Sequence, residues 1–134
     1  MTNAPQLEVL CVGHQRQLLA LRNTILRSEG YRVIETYTVE EAVEIFYSTD
    51  VDIVVICHSI PTQSRKRLVT VMKQARPLIP VIALQAYDLI TEADLSIDHL
   101  AGPEALVEAL AGLPKRPIQR AVIRGQSRQA KPRL

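Results

Sequence analysis

Apolar residues along this chain recur with two alternating periods. Short runs rich in β-branched side chains, Leu7 to Val12, Tyr31 to Glu35, Asp52 to Cys57, Val81 to Leu84 and Leu95 to Leu100, read as strands. The first, ended by Gly13, fits a strand buried on both faces. Between these runs the spacing turns helical. From Gln15 to Glu29 the residues Leu18, Leu21 and Ile25 predict an inward stripe, widened by Leu19 and Leu26, and Gly30 supplies a left-handed stop. Thr38 followed by Glu41 matches a capping box and predicts a helix over Val39 to Ser48. Pro61 breaks the chain and Ser64 is a candidate cap for a third helix, whose apolar face is Leu68, Val69, Met72 and Ala75 and which ends before Pro77. A short helix is expected within Asp88 to Asp94. Pro103, at a first helical position, opens a last helix with Leu106, Val107 and Leu110 inward.

Strand and helix thus alternate five times with short joints. That pattern implies an α/β fold, a (βα)5 doubly wound parallel sheet, because each right-handed crossover lays its helix on one face or the other. Pro114 and Pro117 then end regular structure, which divides the chain into a domain over residues 1–113 and a tail over 114–134 with too few apolar residues to pack.

Composition narrows the function classes. The 134 residues suffice for one domain and leave no room for a second of ordinary size. With 47% hydrophobic and 22% charged residues, and a mean hydropathy of +0.05, the chain has enough apolar side chain for a core. Its aromatic residues are one Phe and four Tyr with no Trp, so the core is aliphatic and platforms for stacking on bases are lacking. The longest apolar run, Ile53 to Cys57, is far below the roughly 18 residues of a membrane span, and a cytoplasmic protein is expected. Cys11 and Cys57 both lie in apolar runs and read as buried, reduced thiols. The net charge of +2 hides an asymmetry: residues 1–113 hold nine Lys/Arg against all fourteen Asp/Glu, whereas the tail holds seven Lys/Arg and no acid.

In a doubly wound sheet, ligands bind beyond the carboxyl ends of the strands. Those ends carry Gly13-His14-Gln15, Cys57-His58-Ser59, Gln85-Ala86-Tyr87-Asp88 and Ala101-Gly102, with Asp88 the one carboxylate in these loops. A magnesium site wants hard oxygen ligands, commonly one or two carboxylates, and no glycine-rich phosphate loop is present either. No cofactor and no catalytic residue are therefore expected. Arg65-Lys66-Arg67, at the start of the third helix, reads as a solvated charge run.

Over residues 7 to about 112 the chain resembles the response-regulator receiver domain, the CheY-like phosphoacceptor module of two-component signalling and phosphorelay. The stretch Asp52-Ile-Val-Val-Ile-Cys-His-Ser-Ile-Pro61 is similar to that family's third strand, where an apolar run leads to the phosphorylated Asp and a Pro follows four residues later. The resemblance puts Cys57 at the phosphoacceptor position. Pro80-Val-Ile-Ala-Leu-Gln-Ala86 resembles the fourth strand and puts Gln85 at the Thr/Ser position. Gly102-Pro103 stands for the family's Lys-Pro pair, with Gly102 at the Lys position. Gly13 and His14 correspond to the acidic pair that holds Mg²⁺, and His99 falls at the aromatic switch position. The resemblance implies a flavodoxin-like sheet of order 2-1-3-4-5. Together with the replaced residues, it implies a pseudo-receiver that acts as a phosphorylation-independent, non-enzymatic signalling module and binds another protein. It also implies self-association through the face of helix four, strand five and helix five.

Two alternatives stay open at this level. A thiol or metal sensor could centre on Cys57, with His14 and His58 lowering the thiol pKa or sharing a soft metal. The tail, with Arg116, Arg120, Arg124 and Arg128 at even spacing, offers a nucleic-acid or anionic-surface contact.

Overall fold

The computed structural model describes residues 6–85 and 90–113. Five strands, β1 (Glu8–Val12), β2 (Arg32–Thr36), β3 (Ile53–Ile56), β4 (Val81–Gln85) and β5 (Leu95–Asp98), form one parallel sheet of order β2-β1-β3-β4-β5. This is the order that the resemblance implies. The helices are α1 (Arg16–Ser28), α2 (Val39–Ser48), α3 (Thr62–Ala75) and α4 (Pro103–Ala111).

Successive strand residues point to opposite faces, and the sheet sorts its side chains accordingly. Leu10, Val12, Val54, Ile56, Val81 and Ala83 pack against Val43 and Phe46 of α2 and Leu68, Val69 and Met72 of α3. Val9, Cys11, Ile53, Val55, Ile82 and Leu84 pack against Leu19 and Leu26 of α1 and Leu106 and Leu110 of α4. Central strands buried on both faces explain why β3 reads as an unbroken apolar run.

Local signals account for most boundaries. Thr38 Oγ1 accepts from Glu41 N–H at 3.1 Å, and Glu41 Oε1 reaches back to Tyr37 N–H at 2.8 Å, one residue earlier than a strict capping box. Gly30 follows α1 at φ +100°, with Gly30 N–H on Arg27 O and Tyr31 N–H on Leu26 O.

Several expectations are corrected. In α1 the buried residues are Leu19, Asn23 and Leu26, whereas Leu21 is 62% exposed. The inward face is instead centred on Leu19 and Leu26, the residues that widened the predicted stripe. The observed rotation puts Arg22 on the flank and Asn23 inside. α3 starts at Thr62 with Pro61 as its cap, and Ser64 lies within it. β5 stops at Asp98, whose Oδ1 accepts Leu100 N–H at 2.9 Å; this turns His99–Ala101 into a 3₁₀ turn instead of more strand. Of the helix expected over Asp88 to Asp94, residues 88 and 89 lie outside the described residues and 90–94 form turns around buried Ile90. The tail over 114–134 also lies outside them, as do Ala86, Tyr87 and the first five residues. Among the described residues, no helix is long and apolar enough to cross a membrane.

Candidate functional site

The carboxyl ends of β1, β3, β4 and β5 bring together Gly13, His14, Cys57, His58, Gln85 and His99. Gly13 is buried and lies directly on Cys57: a Cβ built at Gly13 would sit 3.0 Å from Cys57 Cβ, 3.1 Å from its Sγ and 3.4 Å from Ser59 Oγ. The close approach follows from the parallel ladder, in which Cys57 N–H donates to Val12 O at 2.9 Å and draws the two strand ends together. His14 itself is exposed, with its N–H on Ser59 Oγ at 2.9 Å.

Cys57 is buried in the apolar cluster under α1 and α4, on the same sheet face as Cys11. Both are free thiols. Burial pushes the Cys57 thiol up, partly offset by the Arg22 guanidinium, which hydrogen-bonds it. Burial, together with the neighbouring Cys57, pushes Cys11 well up. Both directions oppose the thiolate that a sensor chemistry needs.

His58 leaves β3 in the opposite sense and stacks on His99, with ring centroids 4.0 Å apart and planes tilted by 31°. His99 Nδ1 lies 2.9 Å from Gln85 O, and because a carbonyl only accepts, Nδ1 carries the proton in this contact. Asp98 Oδ1 is 3.5 Å from the same nitrogen. Arg22 reaches from α1 to His99 O at 3.5 Å. Burial pushes the His58 imidazole down, and the bases around it, His99, Arg22 and Arg65, push it further. His58 Nδ1 and Gln85 Oε1 are buried without a hydrogen-bond partner among the described residues.

Arg65 corrects the reading of the Arg65-Lys66-Arg67 run as solvated. It is 2% exposed, and its guanidinium donates to Leu84 O at 2.9 Å and Thr62 Oγ1 at 3.3 Å. Its place was visible in the spacing, since Arg65, Leu68, Val69 and Met72 stand at i, i+3, i+4 and i+7 on one helix face. Gly102 stands apart, capping α4 at φ +92°. Among the described residues no group of three or more His, Cys, Asp or Glu is placed to hold a metal ion. The arrangement offers buried thiols, two imidazoles and two guanidiniums, a set suited to holding carbonyls and anions.

No protein-family model matches the chain, and no curated protein sequence is similar to it. Solved structures do match. A CheY-like response regulator receiver domain protein from Methanospirillum hungatei is 18% identical over 94% of this chain and all of its own, with a TM-score of 0.73. The response regulator TrrA of Thermotoga maritima, solved with Mg(2+)-BeF, is 23% identical over 79% of this chain and 97% of its own, with a TM-score of 0.72. The chemotaxis response regulator CheY4 of Vibrio cholerae is 19% identical over 80% and 98%, with a TM-score of 0.71. At these identities the likeness is one of fold, and it agrees with the strand order and the alternation of helices: the chain adopts the receiver-domain, CheY-like fold of response regulators.

Proposed function

We propose that this chain is a phosphorylation-independent signalling module, a receiver fold that works by binding another protein and catalyses nothing. The observation that carries the reading is the packing of Gly13 on Cys57. Phosphoryl transfer to a side chain at the end of β3 requires a carboxylate nucleophile and a metal held by further carboxylates, since catalysis there is mostly electrostatic positioning. Here the residue at that place is a buried thiol, and a side chain at position 13 would crowd it, with a Cβ 3.0 Å from Cys57 Cβ. Position 102 adds to this, because its backbone at φ +92° favours glycine and strains a lysine.

The surface that fits a partner lies along β5 and α4, where Leu95 and Leu100 are exposed, Leu100 to 81%. Self-association through the same side is the form in which this surface is most simply tested. Incubation of the full chain with acetyl phosphate and Mg²⁺, followed by intact mass, should show no stable adduct. A gain of one phosphoryl group overturns the reading.

A further inference from the structure

We propose that the stacked His58 and His99 rings form an acid-sensitive clasp, which ties the end of β3 to the end of β5 while His58 is neutral and releases His99 with its 3₁₀ turn when His58 takes a proton. The clasp stands whether or not Cys57 accepts phosphate, so the two readings fail separately.

The geometry is that of a device with two arrangements. The rings meet at 4.0 Å, close enough that two imidazolium charges would face each other across the stack. Every element packed around the pair contributes a charged or polar group. α1 brings Arg22, whose Nη2 contacts His99 O, and α3 brings Arg65 on Leu84 O. β4 brings the Gln85 carbonyl, and the end of β5 brings Asp98, 3.5 Å from His99 Nδ1. Neighbours of the two rings differ. Asp98 and the Gln85 carbonyl face His99, whereas the charged groups acting on His58 are all bases, namely His99, Arg22 and Arg65. His58 Nδ1 is buried with no acceptor among the described residues, so a proton placed there has nothing in the closed stack to bond to.

The sign follows from burial and these neighbours. The folded state holds the His58 imidazole below its ordinary value of 6.5, so the closed form binds fewer protons than an open or unfolded one in that range. Its stability is complete above about pH 6.5 and is lost as pH falls through that value toward the depressed one. Opening removes the ring from Gln85 O and frees His99, beside the exposed Leu100, to change the surface that the 3₁₀ turn presents.

NMR on the full chain tests this directly. Ring-to-ring nuclear Overhauser contacts between His58 and His99 should be strong at pH 7.5 and fall at least about five-fold by pH 5.0, with methyl shifts of Leu10 and Val54 unchanged. In His58→Phe, which keeps a ring and removes a proton site, the contact to His99 should persist at pH 5.0. His14→Gln should behave as the unsubstituted chain does. A stack that persists at pH 5.0 overturns the clasp. Loss of contact in His58→Phe, or loss accompanied by collapse of the core methyl shifts, overturns it equally.

Discussion

The first amides and the last carbonyls of the strands are held by opposite charges, while Arg76 and Lys73 also serve loop carbonyls just before β3 and β4. At the amino end, acids hold amides: Asp52 Oδ2 accepts Glu8 N–H at 2.7 Å, and Asp94 Oδ2 accepts Val81 N–H at 2.7 Å while pairing with Lys73 Nζ at 2.9 Å. Each acid precedes one strand and takes the first N–H of its neighbour. At the carboxyl end, bases hold carbonyls: Arg65 on Leu84 O, His99 on Gln85 O and Arg22 on His99 O. A parallel sheet exposes N–H groups at one end and C=O groups at the other, and the chain has answered each with the complementary charge. The lesson concerns function. Groups committed to strand-end carbonyls must be donors, and a carboxyl end where those donors are cationic is the reverse of one that cradles a divalent cation.

The comparison can be broken most severely at Arg65. Arg65→Met removes the charged donor and leaves the buried Leu84 carbonyl unpaired, so unfolding free energy should drop by about 3 kcal/mol in a denaturant titration. A drop below about 1 kcal/mol would show that the carbonyl is served from elsewhere.

A gain should follow at Asn23. Placing Arg22 at the carboxyl edge turns α1 so that Asn23 is buried, with neither amide atom hydrogen-bonded among the described residues. Asn23→Leu should therefore stabilise the domain by about 2 kcal/mol, read as a rise in melting temperature, with the Arg22 contact to His99 retained. Equal or lower stability would mean that Asn23 has a partner in solution.

The smallest effect belongs to the amino end. Asp94 is partly solvated, and Asp94→Ala loses one amide hydrogen bond and an ion pair that water screens, for about 1 kcal/mol in the same titration. If it matched Arg65→Met, the contrast between a solvated end and a buried end would fail.

Much of the fold was legible in the sequence because parallel central strands are apolar on both faces and because local signals mark helix ends, such as Thr38 with Glu41 at the start of α2 and Gly30 after α1. Gly13, His14, Cys57 and Gln85 could likewise be placed, since each lies where an apolar strand run ends. Arg65 was misjudged, and Arg22 and Asn23 were passed over, for a common reason. Each is polar and sits on or beside a core-facing stripe, and residue type argued for solvent where position argued for burial. The 3₁₀ turn at His99 depended on Asp98 choosing a local acceptor role over the strand ladder, a contest decided by geometry that periodicity does not register.

Because Gly13 lies on Cys57, the two positions do not vary independently. A side chain at 13 must displace Cys57, and an aspartate introduced at 57 alone would be buried beside Arg22, which would neutralise it as an ion pair before any metal could. A lysine at 102 would add backbone strain of its own at φ +92°. Of the positions that would carry an acidic site, exposed His14 is open to change by itself, whereas 13, 57 and 102 are tied to their surroundings, so the edge is mutationally coupled at three places and free at one.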